Sequence, residues 1–139
     1  MTTILIADDY DDNRELLRLI LSGAKYEVRE ATNGLECVMS ARQSPPDLIM
    51  VDLSMPELDG WEVFRILRAD PTTAHIPCIA FTAYSESDCE RALKAGFKAF
   101  VGKPFKTEEM LETLARILRL QEQLQEAKQG ARQGANQEQ

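Results

Sequence analysis

Three carboxylates stand where apolar runs stop. The run Thr3 to Ala7 gives way to Asp8 and Asp9, and the run Leu48-Ile49-Met50-Val51 ends in Asp52. Two further runs, beginning at Cys78 and Ala99, end in Thr82 and in Lys103-Pro104. If these runs are neighbouring strands, the three acids meet at one edge and repel one another. They must then protonate or share a cation. A hard, oxygen-loving divalent ion suits such donors, and Mg²⁺ is the common choice where a phosphate completes the shell. The ammonium of Lys103, a compact charge on a flexible stem, suits reaching a phosphate across a pocket. Acids also gather at strand ends because they open loops and cap helices. That accounts for Asp11 and Asp12, but poorly for Asp52, which ends a run that should be deeply buried.

The elements needed to position these groups are legible as alternating periods. Short β-branched or apolar segments recur at Thr3 to Ala7, Glu27 to Ala31, Leu48 to Asp52, Cys78 to Thr82 and Ala99 to Gly102. Between them run helical stripes: Leu16, Leu17, Ile20 and Leu21; Val63, Ile66 and Leu67; Leu111, Leu114, Ile117 and Leu118. Asp12 with Glu15, Asn33 with Glu36 and Ser85 with Asp88 have the spacing of capping boxes. Gly96 suits a left-handed helix end. Strand and helix alternate five times, which predicts an α/β fold with a parallel sheet covered on both faces. In such sheets ligands bind beyond the carboxyl ends of the strands, where strand order reverses. Those ends are where Asp8, Asp9, Asp52, Thr82 and Lys103 stand.

Charge and composition remove several function classes. Against 23 Asp and Glu stand only 16 Lys and Arg, a net charge of −7, which argues against a nucleic-acid surface. It leaves cations and basic protein surfaces open as partners. Apolar runs reach only four residues, and the N-terminus has no basic region before an apolar stretch, so neither a membrane span nor a signal peptide is expected. Cys37, Cys78 and Cys89 form no C-x-x-C pair and read as reduced thiols of a cytoplasmic protein. His75, the single histidine, precedes Ile76-Pro77 in a turn and reads as a loop residue, which excludes a histidine kinase or phosphotransfer module. Trp61 is expected to pack on the next helix. After Leu120 the composition turns to Gln, Glu, Ala, Gly, Lys and Arg. Residues 1–120 are therefore read as the folded domain. Residues 121–139 are read as a helical extension followed, beyond Gly130, by a disordered Gln-rich tail. The alternative for the tail is a dimerisation arm with Ile117, Leu120 and Leu124 on one seam. No room is left for a second output domain.

Five motifs occur in order: Ile4-Leu5-Ile6-Ala7-Asp8-Asp9; Asp47 through Asp52-Leu53-Ser54-Met55-Pro56 to Asp59-Gly60; Ile76-Pro77 leading to Thr82-Ala83; Ala95-Gly96-Phe97; and Phe100-Val101-Gly102-Lys103-Pro104-Phe105. Together they resemble the receiver domain of two-component response regulators, in its stand-alone form, over residues 3 to 120. The resemblance implies a doubly wound, flavodoxin-like (βα)₅ fold with strand order 2-1-3-4-5. It implies that Asp52 accepts a phosphoryl group from a histidine kinase or phosphotransfer protein. Asp8, Asp9, Asp52 and the backbone carbonyl of Ser54 would hold Mg²⁺, and Lys103 would meet the phosphoryl oxygens. Thr82 would donate its hydroxyl to them once they arrive, and Phe100 would turn inward in response. The chemistry agrees. A carboxylate is a weak nucleophile toward an anionic donor, so the transfer depends on in-line positioning and charge neutralisation. The chain would be a phosphorelay switch that phosphorylates and dephosphorylates itself, not a turnover enzyme. Its output would be protein binding, through the face from Ser85 to Leu120 or as a homodimer through that face or the last helix.

Departures and alternatives follow from the same residues. Ser54 and Tyr84, two positions past Asp52 and Thr82, stand where the family screens its acyl phosphate from water. Phe100 replaces a common Tyr. Pro56 and Gly60 bracket the turn after Asp52. Pro104 leaves both cis and trans open for the Lys103–Pro104 bond. A flavin-binding electron carrier of the same topology would need Ser, Thr and Gly donors after strand 1, where this chain has Asp8-Asp9-Tyr10-Asp11-Asp12. An aspartyl-phosphate phosphatase would need an acid in place of Ser54. A receiver segment cut from a hybrid histidine kinase is the alternative within the leading reading.

Overall fold

Alternation with a period of two places successive strand residues on opposite faces of a sheet, and here both faces are apolar. The computed structural model describes residues 1–83 and 85–137, with side chains described through Ala131. Five strands, β1 (Thr3–Ala7), β2 (Glu27–Ala31), β3 (Leu48–Val51), β4 (Cys78–Ala83) and β5 (Ala99–Lys103), form one parallel sheet in the order β2-β1-β3-β4-β5. The helices are α1 (Asp11–Gly23), α2 (Gly34–Gln43), α3 (Gly60–Ala69), α4 (Glu86–Ala95) and α5 (Thr107–Gln137). The alternation predicted from the sequence is therefore realised, including the implied strand order.

Two cores result. Ile4, Ile6, Leu48, Met50, Ile79 and Phe81 pack with Leu17 and Leu21 of α1 and with Met110 and Leu114 of α5. Leu5, Ala7, Ile49, Val51 and Ala80 point the other way, against α2, α3 and Ala92 of α4. The inner strands β1, β3 and β4 are almost wholly buried, whereas the edge strand β2 is half exposed. Burial on two faces is what makes their sequence continuous hydrophobic runs.

The helix starts correct one expectation. Asn33 and Ser85 cap α2 and α4 as their spacing predicts, accepting from the amides of Glu36 and Asp88. Asp59 caps α3 in the same manner. Asp12 does not cap α1. That helix starts at Asp11, with Tyr10 as an N-cap that makes no side-chain bond. The Asp8 carboxylate takes the Tyr10 amide at 2.9 Å and turns the chain two residues earlier. At the other end of α4, Gly96 adopts φ +118° and closes the helix.

The tail differs too. Where the sequence predicts disorder beyond Gly130, α5 runs unbroken from Thr107 to Gln137, 31 residues. Gln, Glu, Ala, Lys and Arg are strong helix formers, and the two interior glycines, Gly130 and Gly134, cost only about 1 kcal/mol each. Residues 138 and 139 lie outside the described residues.

Two outcomes follow from these cores. Leu114 is wholly buried and Leu35 is 62% exposed. Leu114→Ala is expected to cost about 2–5 kcal/mol in urea unfolding, and Leu35→Ala about 0.5 kcal/mol or less. Burial pushes the Cys37 thiol up to about 12 and raises Cys78 as well. Both are in the core, while Cys89 is only partly covered. A thiol reagent at pH 8 should therefore label Cys89 alone in the native chain and all three thiols in urea, counted by intact mass.

Candidate functional site

The strand order reverses on either side of β1, so the loops after β1 and β3 diverge and leave a crevice at the carboxyl end of the sheet. Asp8 and Asp9 follow β1 and Asp52 follows β3. One oxygen from each of these three carboxylates lies within 4.8 Å of the others. Asp8 is fully buried, Asp52 is 3% exposed and Asp9 is half-buried. Backbone ladders fix them: the Asp52 amide donates to the Ala7 carbonyl at 2.9 Å, and the Asp8 amide to Ala31 at 3.2 Å.

Lys103, the last residue of β5, reaches across the crevice. Its Nζ donates to Asp8 Oδ2 and Asp52 Oδ2, each at 3.1 Å. The ammonium also lies 4.6 Å from the centre of the Phe81 ring, so an apolar, weakly attracting wall backs it. The Lys103–Pro104 peptide is cis. One ammonium among three carboxylates leaves two negative charges in excess.

Asp52 Oδ1 faces the loop that follows it. It accepts from the Ser54 amide at 2.9 Å and from the Ser54 hydroxyl at 3.1 Å. The same hydroxyl lies 2.7 Å from Thr82 Oγ1. Acceptor carboxylate, Ser54 and Thr82 thus form one hydrogen-bonded chain from β3 to β4. Thr82 is paired across the sheet with Gly102, which has no side chain, and Ala80 with Phe100. By strand period Thr82 and Phe100 share a face, and Phe100 packs at the margin of the core under that face.

Gly60 sits directly behind this loop. A Cβ there would lie 2.5 Å from the Asp52 carbonyl oxygen and 2.8 Å from Leu53 Cα. The start of α3 therefore presses backbone against the acid-bearing turn, an approach only glycine permits. Glu57 takes φ +64° in the same loop.

Every residue read from the sequence as a site candidate and described in the structure lies in or beside this crevice: Asp8, Asp9, Asp52, Ser54, Thr82 and Lys103 at its floor, Phe100 behind it. Tyr84 lies outside the described residues. Trp61 stands apart, edge-on to Phe97 with Arg91 4.2 Å over its ring. His75 is exposed and offers its backbone carbonyl to Gln121. Sequence reasoning missed Arg14. It is 8% exposed, donates to the Asp8 carbonyl at 2.6 Å and pairs with Asp11 and, at 3.7 Å, with Glu30. Its i, i+3 spacing from Asp11 was the available signal.

The response regulator receiver domain family matches residues 4–115. The chain belongs to this family. A polar-differentiation response regulator, DivK, from Brucella anthropi is 36% identical over 117 residues, covering 84% of this chain and 95% of that protein. Among solved structures, one described as a response regulator from Chloroflexus aurantiacus superposes with a TM-score of 0.81 at 34% identity, covering 85% of this chain and 98% of that one. The receiver domain of a sensor histidine kinase from Pseudomonas aeruginosa superposes at 0.78 with 32% identity, covering 84% and 97%. That structure holds a magnesium ion in its active-site cleft. The receiver described here is thus a signalling domain of a two-component system, and the flavin-carrier alternative is set aside. No helix among the described residues is long and apolar enough to cross a membrane.

The tight approach at Gly60 gives a test of how the acids are held. Gly60→Ala should cost about 1–3 kcal/mol of stability by forcing the turn away from α3. It should also shift the Asp52 and Ser54 amide resonances, whereas Gly23→Ala, with nothing within 4 Å of the added Cβ, should leave them in place.

Proposed function

We propose that this receiver takes a phosphoryl group onto Asp52 from a phospho-histidine donor and turns it into a change of protein binding. The observation that carries the reading is the Lys103 ammonium held 3.1 Å from both Asp8 and Asp52 in a cluster with an excess of negative charge. In the transfer an Asp52 oxygen attacks phosphorus, the P–N bond to the donor imidazole breaks, and the imidazole leaves with the electron pair. Lys103 is positioned to follow the negative charge onto the phosphoryl oxygens. Hydrolysis by water at the same phosphorus returns the free carboxylate.

The donor set fits Mg²⁺. Three carboxylates offer hard oxygens within 4.8 Å of one another, and one ammonium does not neutralise them. Asp8, Asp9, Asp52 and the Ser54 carbonyl are the residues that would hold it. When bound, the ion supplies charge neutralisation at the phosphoryl oxygens.

Thr82 is the switch residue in this reading. Its hydroxyl is already engaged by Ser54, one bond away from Asp52. Donation to a phosphoryl oxygen exchanges that partner and draws the end of β4 inward, leaving room for Phe100 on the same face. Residues 1–120 form the receiver proper and 121–139 an extension. The kinase or phosphotransfer donor, a downstream protein and a second copy through the 85–120 face are the partners this reading supplies, in the cytoplasm.

Acetyl phosphate with Mg²⁺ should add one base-labile phosphoryl group, seen by intact mass. Asp52→Asn should abolish it and Lys103→Ala should slow it by about tenfold or more. Full labelling of Asp52→Asn would place the acceptor elsewhere. In a thermal-shift titration, Asp9→Asn should melt higher than the parent without Mg²⁺, because one repelling carboxylate is gone, and should respond less to added Mg²⁺. Equal responses would remove Asp9 from the metal site. Hydrogen exchange with and without a beryllofluoride mimic should change across Ser85 to Leu120, and Thr82→Ala should blunt that change. Changes confined to the neighbourhood of Asp8 and Asp52 would reject the proposed output face.

A further inference from the structure

The end of the molecule opposite the acid cluster carries a surface of contrary sign. Between the loop before β4 and the C-terminal half of α5 lies a groove of roughly 430 Å³, lined by Arg68, His75, Ile76, Lys98, Leu124 and Lys128 among others. Beside it, sharing Lys98 and Leu124, a second depression adds Arg116 and Leu120. Four basic side chains line these two depressions, and no carboxylate does among the described residues. None of the four makes an ion pair among the described residues, although the chain as a whole carries a net charge of −7. Across α5, Asp47 and Glu122 line the next hollow.

The groove is built. Gln121 ties α5 to the His75 carbonyl at 3.1 Å, which fixes one wall on the other. The Arg68 guanidinium lies 5.3 Å from the Phe64 ring centre, over the space left by Gly96, where a Cβ would approach its Nη1 to 2.9 Å. The Lys98 amide is anchored to the Cys78 carbonyl at 2.9 Å. Leu120 and Leu124, one helical turn apart, are 52% and 55% exposed at its lip. Much of it is made by residues beyond position 115, where the family match ends.

We propose that this groove docks an acidic amphipathic segment of a partner protein, its carboxylates against Arg68, Lys98, Arg116 and Lys128 and its apolar side chains on Leu120 and Leu124. Charge complementarity selects the occupant, and the net charge limits its size. Screening confines the groove's field to about 8 Å at physiological salt, so a short acidic segment meets only the cations. An extended anionic surface, membrane or polynucleotide, also meets the acids that dominate the rest of the molecule. The Arg68 guanidinium held over Phe64 and the helix tied at Gln121 lower the ordering cost of binding.

The test is an amide-resonance titration of the whole chain with a synthetic helical peptide of alternating Leu and Glu faces, and with the same peptide carrying Gln for Glu. Shifts should cluster at residues 68, 75, 98, 121 and 124, weaken with salt and fall at least tenfold in affinity with the Gln peptide. The double variant Lys98→Glu/Lys128→Glu, both exposed positions with no ion pair to lose, should weaken binding by a similar factor while its circular dichroism and melting stay unchanged. Binding that ignores peptide charge or the double variant overturns the proposal, as does an absence of shifts at the groove up to millimolar peptide. So does sedimentation with phosphatidylserine vesicles that the double variant abolishes while the peptide leaves the groove unperturbed, because the surface would then be one for anionic lipid.

Discussion

The Lys103 ammonium between Asp8 and Asp52 is the contact on which the rest of this structure depends. Two carboxylates buried to a few per cent of their surface cannot both stay charged beside each other without a cation. In the chain alone the cation must come from protein. It comes from the far edge of the sheet, so an ion pair links β5 to the ends of β1 and β3 across the crevice. The Phe81 ring under Nζ and the Ser54 donors on Asp52 complete the arrangement. A buried ion pair of this kind adds little net stability, since desolvation offsets the attraction. Its value here lies in holding charge ready. In the proposed transfer, the ammonium that pairs with Asp8 and Asp52 in this chain is the group that would meet the arriving anion.

Rigid and movable parts are divided along the same line. Asp8 and Asp52 follow inner strands whose side chains are buried on both faces, and Gly60 presses the backbone of α3 onto the turn after Asp52. Thr82 is held otherwise, through one shared hydroxyl at Ser54, near the end of β4 and opposite a residue with no side chain. The helix that follows, α4, buries a single residue, Ala92. Few apolar contacts oppose a small shift there, which is where low local stability is expected to lie. The acids are fixed and Thr82 is loosely fixed, the asymmetry that the proposed switch requires.

Much of this was legible in the sequence because burial on two faces leaves an unmistakable pattern. Leu48-Ile49-Met50-Val51 closing on Asp52 already required a polar group at a buried strand end. The positions of Asp8, Asp9, Thr82 and Lys103 followed from the same logic. What was illegible was local competition for hydrogen bonds. Asp12 has the spacing of a cap, yet the Asp8 carboxylate wins the Tyr10 amide and starts α1 earlier. Arg14 reads as one more surface charge on an amphipathic helix until the fold brings the Asp8 carbonyl and Glu30 to it. The tail is read as a helical extension followed by disorder beyond Gly130; α5 carries on to Gln137, in a segment of Gln, Glu, Ala, Lys and Arg whose helix propensity low hydrophobicity does not report.

Length in α5 then separates the two electrostatic ends of the molecule. A helix of 31 residues spans about 46 Å, farther than the sheet beneath it, so its second half must stand beyond the strands' amino ends. The acids that serve the crevice are set by strand ends and cannot move without dismantling the sheet. Among the described residues, the cations on the second half of α5 make no ion pair with the acids elsewhere in the chain. Arg116 has Glu112 one helical turn away, an exposed pair that would add little, and Lys128 has no acid at helical spacing. Among the described residues Arg68, Lys98, Arg116 and Lys128 make no ion pair, so that end of the receiver keeps a positive lining on a chain of negative net charge.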